Sequence, residues 1–189
     1  MLVKGKTSKK IRTAHRYLGL FLGIQFLFWT ISGLYFSWTD LDEIHGDHFK
    51  KVSIKKEFKN LISPTEINFS DGIKSLELRE IADIPYYWIN ENKLINAYNG
   101  VVKDSITKQE AIIISNNNIL DEYKISDIEI IYEVGNHHEY REKPLPAYVI
   151  SYDGSDKLKS YISIKDGQFQ TVRHRSWRWF DFLWMTHTM

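Results

Sequence analysis

The chain has 189 residues, a net charge of +1 and 26% charged residues, and it contains no cysteine. That length allows one domain of ordinary size plus an anchor. The lack of Cys excludes disulfides, thiolate metal sites, iron–sulfur clusters, a Cys nucleophile and covalent c-type haem attachment, so any haem would be held non-covalently.

Residues 1–16 form a basic tail with Lys4, Lys6, Lys9, Lys10, Arg12 and Arg16 and no acid. Residues 17–38, Tyr17 to Trp38, hold no Asp, Glu, Lys, Arg or His, and Gln25 is their one strongly polar side chain. A spanning helix needs about 20 mostly apolar residues at about 1.5 Å each, so 17–38 predicts a transmembrane helix. A cleaved signal peptide has a shorter apolar run and a small-x-small site, and Ser37-Trp38-Thr39 is a poor one. Past Trp38 come Asp40, Asp42, Glu43 and Asp47, with no Lys or Arg before Lys50. Flanking basic charge stays in the cytoplasm, which puts the N-terminus inside and the following chain outside. Trp29, Tyr35, Phe36 and Trp38 then resemble an interfacial aromatic belt in the outer half. Topology accounts for the basic tail, so nucleic-acid binding is not implied.

Residues 39–62 read as a juxtamembrane connector. His45 and His48 lie there at i, i+3 among acids. They are open to two readings, a metal or cofactor contact and a solvated linker, because two His without fixed geometry specify little.

Residues 63–175 read as an exported α+β domain of two similar repeats, about 63–106 and 107–175. Ser63 to Glu66 is a capping-box pattern with Pro64 at the first helical position, predicting a helix to about Ser70. Strand-like runs follow at Ser75–Ile81, Tyr86–Asn90 and Leu94–Tyr98, and the turn Asn99-Gly100 leads to Val101 and Val102. Thr107 to Glu110 is a second capping box, opening a helix over Gln109–Ser115 that Asn116, Asn117 and Asn118 end. Strands are predicted at Ile128–Val134, Ala147–Tyr152 and Ser160–Ile164, and Asp166-Gly167 leads to Gln168–Val172. Alternation in Tyr148–Asp153 and Tyr161–Ile164 predicts sheets with one buried face.

From Arg173 the chain turns apolar and aromatic again. Ser176 could cap a helix on which Trp177, Phe180, Trp184 and His187 form one stripe. Residues 176–189 are too short to cross, and read as an interfacial helix or the start of a second span. Met185 and Met189 in that stripe read as packing. The chain stops without a C-cap or polar tail, which reads as C-terminal truncation.

Three blocks resemble the PepSY-associated transmembrane family of bacterial envelope proteins. One is Arg12 to Leu20, running into Trp29 to Gly33. Another is Arg141 to Tyr148 with the hairpin Tyr161 to Gly167, which resembles a PepSY unit. The third is Trp177 to Met189. The resemblance implies an inner-membrane protein with a cytoplasmic N-terminus and a periplasmic main domain. Some members are similar to haem-bearing reductases that move electrons to ferric complexes, siderophore-bound iron included, and so serve iron uptake. By the same resemblance His15 and His187 match the haem-ligand motifs, which implies haem b. They fall at different depths, so the implied arrangement is two haems, one per leaflet, each needing a second His. Ionisable residues at membrane depth are costly and usually functional, and His is the usual axial ligand of b-type haem. Read from the residues alone, His15 is equally an interfacial side chain in a basic flank.

Three functions stay open. One is electron transfer to ferric complexes. Another is an anchored PepSY module that binds or restrains an envelope partner. The last is an accessory transporter subunit without chemistry. No G-x-S-x-G, H-E-x-x-H or P-loop is present, and Asp127, Glu129, Glu133 and Glu139 lack the isolation that tunes a catalytic acid, so hydrolysis is not expected. His137 and His138 read as a loop pair or a docking point for an iron chelate, and His174 as an anchor at lipid head groups.

Overall fold

A computed structural model describes residues 5–52, 56–67 and 72–188. The chain divides into two compact parts. A helical part ends at Ile44 and resumes at Ser176, and a sheet domain runs from His45 to Arg175.

The helical part contains α1, Gly5–Trp38, of 34 residues. It is long and apolar enough to cross a membrane. The apolar stretch 17–38 read from the sequence forms its C-terminal part, and the described helix extends back through the basic flank to Gly5. Lys, Arg and Ala are good helix formers, and no Pro interrupts 5–38, so nothing stops the helix at the charge boundary. After the short α2, Leu41–His45, the chain leaves this part and returns as α4, Arg175–His187. Ser176, expected as the cap, lies inside α4. Its thirteen residues extend about 20 Å. Phe180 and Trp184 of α4 pack on Phe36 of α1 at ring-centroid distances of 4.9 and 5.7 Å.

The sheet domain holds two four-stranded antiparallel meanders. The first comprises β1 Leu76–Ile81, β2 Ile84–Ile89, β3 Lys93–Asn96 and β4 Val102–Lys103. After α3, Lys108–Asn118, the second comprises β5 Ile125–Ile131, β6 Ala147–Tyr152, β7 Lys159–Ser163 and β8 Phe169–Arg173. Asn99-Gly100 and Asp166-Gly167 turn the chain before the last strand of each meander, as the sequence suggested. β5 lies three residues earlier than expected, and the predicted tail of that strand belongs to the loop that follows.

The sequence reading gave each sheet one buried face. The central strands are instead covered on both. From β2, Tyr86 and Trp88 join Tyr148, Ile150 and Ile162 of the second sheet, with Ala111 and Ile114 of α3, in one core. The alternate residues Tyr87 and Ile89 lie under Leu61, Ile62 and Ile67. Ala147 and Val149 of β6 likewise pack with Tyr140, Tyr161 and Leu145. Runs such as Tyr148-Val149-Ile150 are therefore apolar without a break, as doubly covered strands should be.

The two capping boxes behave differently. Around Pro64 only a single 3-10 turn forms, Pro64–Glu66; Ser63 Oγ accepts from Thr65 N, while Glu66 N donates to the Ser63 carbonyl. The rest of the predicted helix falls partly on residues 68–71, outside the described residues. At α3 the box is complete. Glu110 N donates to Thr107 Oγ1 at 3.3 Å, and Thr107 N donates to Glu110 Oε2 at 2.7 Å. At its other end α3 runs through all three asparagines to Asn118, whose Nδ2 donates to Ile114 O at 2.8 Å.

Lys103 Nζ lies 3.0 Å from Glu110 Oε1. Burial pushes the Glu110 carboxyl up, but the Thr107 N–H and Lys103 outweigh it and hold it below its ordinary 4.5. A depressed carboxyl stabilises the fold above its unfolded value and loses that contribution as pH falls through the folded value. Glu110→Ala is expected to cost about 1 kcal/mol at pH 7, with the gap from wild type narrowing as pH falls below that ordinary value. Urea unfolding of both proteins across that range checks it.

Candidate functional site

The helical part builds its polar site around one serine. In an apolar helix a serine hydroxyl has no water to bond and turns back to its own backbone. Ser32 is fully buried, and its Oγ lies 2.8 Å from Phe28 O and 3.1 Å from Trp29 O. The same oxygen meets His187 Nδ1 at 2.7 Å. A hydroxyl has one proton to give. With that proton on a helix carbonyl, the Ser32 oxygen accepts from Nδ1–H. In that arrangement the lone pair sits on Nε2; with the hydroxyl proton on Nδ1 instead, the ring hydrogen sits on Nε2.

Apolar rings hold the imidazole in place. Trp29 stacks on it at 5.2 Å with planes 19° apart, and Phe36 meets it edge-on at 5.5 Å. Gly33 lies under the ring, where an added Cβ would sit 3.8 Å from Cε1. Trp29 and Phe36, read from the sequence as part of an interfacial aromatic belt, also contact His187. The chemistry available is that of an oriented donor nitrogen in an apolar setting, with its second nitrogen tied to a hydroxyl. That is the arrangement a ligating histidine uses.

His15 is exposed on α1. The helical rise puts it about 25 Å along the axis from Ser32, so His15 and His187 cannot hold one iron between them. Each supplies at most one ligand to a separate centre. Among the described residues there is no group of three or more His, Asp or Glu placed to hold a metal ion.

The other histidines lie in the sheet domain. The His48 ring meets the buried His174 ring edge-on at 5.6 Å and leans on Phe49. That burial corrects the reading of His174 as a head-group anchor. His138 Nδ1 accepts from Tyr140 N at 3.0 Å, which closes a turn within its own loop. Ser32 was not found from sequence. The one available signal was a hydroxyl residue within an uninterrupted apolar helix, and nothing local tied it to a residue 155 positions away.

Compared with protein-family models, with curated proteins and with solved structures, the chain matches none.

Proposed function

We propose that this chain is a haem b electron-transfer protein of the bacterial inner membrane that passes electrons to ferric complexes, siderophore-bound iron among them, on the periplasmic side. The observation that carries the reading is the 2.7 Å contact between Ser32 Oγ and His187 Nδ1, which engages one nitrogen of a ring-packed imidazole and, when Nδ1–H donates, leaves Nε2 to ligate. His187 would supply one ligand to a haem. His15, at the start of the apolar stretch, is the residue for a second centre nearer the cytoplasm. A bound haem would supply one-electron transfer.

The chain's own residues do the positioning. Ser32 holds Nδ1 and with it the ring angle. Trp29 and Phe36 pack against the imidazole, and α1 sets the separation of the two centres. The basic flank and the acidic residues after Trp38 orient the chain with its N-terminus in the cytoplasm. The sheet domain then faces the periplasm, where a ferric complex would arrive.

The test is the visible spectrum of the membrane-extracted protein, before and after dithionite. A Soret band with α and β bands sharpening on reduction is expected. His187→Ala and His15→Ala should each remove part of it. Ser32→Ala should weaken haem affinity by about 10–100-fold, the usual cost of losing a partner that orients a ligand. A featureless spectrum from haem-replete cells would defeat the proposal and leave the anchored binding module as the better reading.

A further inference from the structure

α1 does not end where its apolar stretch ends. Gly5 to Arg16 continues the same helix, and at about 100° per residue its basic side chains gather on one side. Arg12, Arg16, Lys9, Lys6 and Lys10 follow one another around an arc of about 160°. The opposite arc carries Thr7, Ser8, Ile11, Ala14 and His15 and no charge. All five cations are exposed, and α1 itself contains no acid to neutralise them. Tyr17 lies at the foot of the basic arc, with Lys10 and Thr13 above it, and is exposed at the junction with the apolar stretch.

A topology signal needs only the number of charges on a flank. It does not need them on one side. A one-sided arc is what a headgroup-binding surface requires. We infer that this arc is a binding surface for the phosphates of anionic lipid headgroups, with phosphatidylglycerol as the simplest ligand. The inference rests on α1 crossing the bilayer.

The distances agree with that partner. The headgroup layer is about 5–7 Å deep on each side of the hydrocarbon. Counted from Tyr17 along the axis, Arg16 and Arg12 lie about 1.5 and 7.5 Å out, within or at the edge of that layer. Lys10 and Lys9 lie at about 10 and 12 Å, within a Debye length of the phosphates. Lys6 lies at about 16 Å and contributes least. Spanning helices tilt by about 20° on average, and a tilt toward the basic side brings the arc a few ångströms nearer the headgroups. Clustered cations just cytoplasmic of a span are the usual mark of anionic-lipid contact, each worth roughly a fivefold change in partition.

The experiment uses the full chain reconstituted in phosphatidylcholine bilayers with and without phosphatidylglycerol. Alkaline carbonate washing first shows whether the chain is integral. Lipid retained after detergent release is then read by native mass spectrometry. The wild type should hold phosphatidylglycerol about tenfold or more above phosphatidylcholine. A variant with Lys9→Gln, Lys10→Gln, Arg12→Gln and Arg16→Gln should hold the two about equally. A second variant exchanges neighbours, with Ser8→Lys, Lys9→Ser, Ile11→Arg and Arg12→Ile, so that charge and composition stay the same while the arc is broken. It should lose several-fold of the preference and remain integral.

An integral wild type without lipid preference would overturn the inference, as would an exchanged variant indistinguishable from wild type. In both cases the span would stand. A wild type washed off both bilayers would overturn the span and the inference together.

Discussion

Phe49→Ala is expected to destabilise the sheet domain by about 3–5 kcal/mol, the cost of deleting a buried aromatic ring and leaving its cavity. Phe49 is 2% exposed and belongs to the main core with Ile119 and Val172. Tyr123 meets its ring edge-on at 5.2 Å, and His174 packs at 5.0 Å. Its backbone is fixed as well. Leu120 N donates to Phe49 O at 3.0 Å, and Lys51 N donates to Asn118 O at 2.8 Å. Phe49 therefore anchors the start of the domain to the segment that links α3 to β5. Amide hydrogen exchange of peptides from β6 and β7 would report the loss as faster global opening. A change under about 1 kcal/mol would mean that the ring is not a core element.

Phe49 also shows where sequence reading fell short. Its neighbours are Asp47, His48, Lys50 and Lys51, so it stands as a lone apolar residue in a charged run. No period of two or of 3.6 marks it, and residues 39–62 looked like a solvated connector. What makes it core is a partner 70 positions downstream, the Lys50 bridge to Ile119 and its neighbours. Ser32 was missed for the same reason, because its contact to His187 spans almost the whole chain.

Local chemistry was legible where it was self-sufficient. Thr107 and Glu110 satisfy each other within one helical turn, so that cap formed as expected. The Asn-Gly and Asp-Gly turns carry their own backbone preference, and the meanders follow from them. Ser63 to Glu66 has the same letters as a capping box, yet yields only a 3-10 turn. The leucine and isoleucines around it pack onto Tyr87 and Ile89 instead of continuing a helix. Here tertiary cover won over a local signal. Covering elements also explain why the two-faced burial of β2 and β6 was not foreseen. Strand alternation records which side a residue takes, while the lids over the outer faces come from residues 61–67 and from the loop after β5.

Gly46→Ala is expected to cost about 2–5 kcal/mol, combining about 1–2 for a left-handed backbone with about 1–3 for overpacking. Gly46 has φ +71°, a conformation that L side chains rarely adopt. It turns the chain from α2 into the 3-10 turn Asp47–Phe49 that delivers Phe49 to the core. A Cβ here would come 2.6 Å from Val172 Cγ2, closer than such atoms approach, and a tight 3.3 Å from Phe49 Cδ2. Val172 is fully buried on β8 and cannot move aside cheaply. The two causes are separable. Asn tolerates the left-handed region far better than Ala does, but carries the same Cβ. If backbone strain dominated, Gly46→Asn would recover most of the loss in urea unfolding. The contact with Val172 predicts that it recovers little. The same contact predicts that Val172→Ala costs at least about 1 kcal/mol less in the Gly46→Ala protein than in wild type, because it removes the clashing methyl. Additive losses would show that the backbone angle alone makes glycine necessary here.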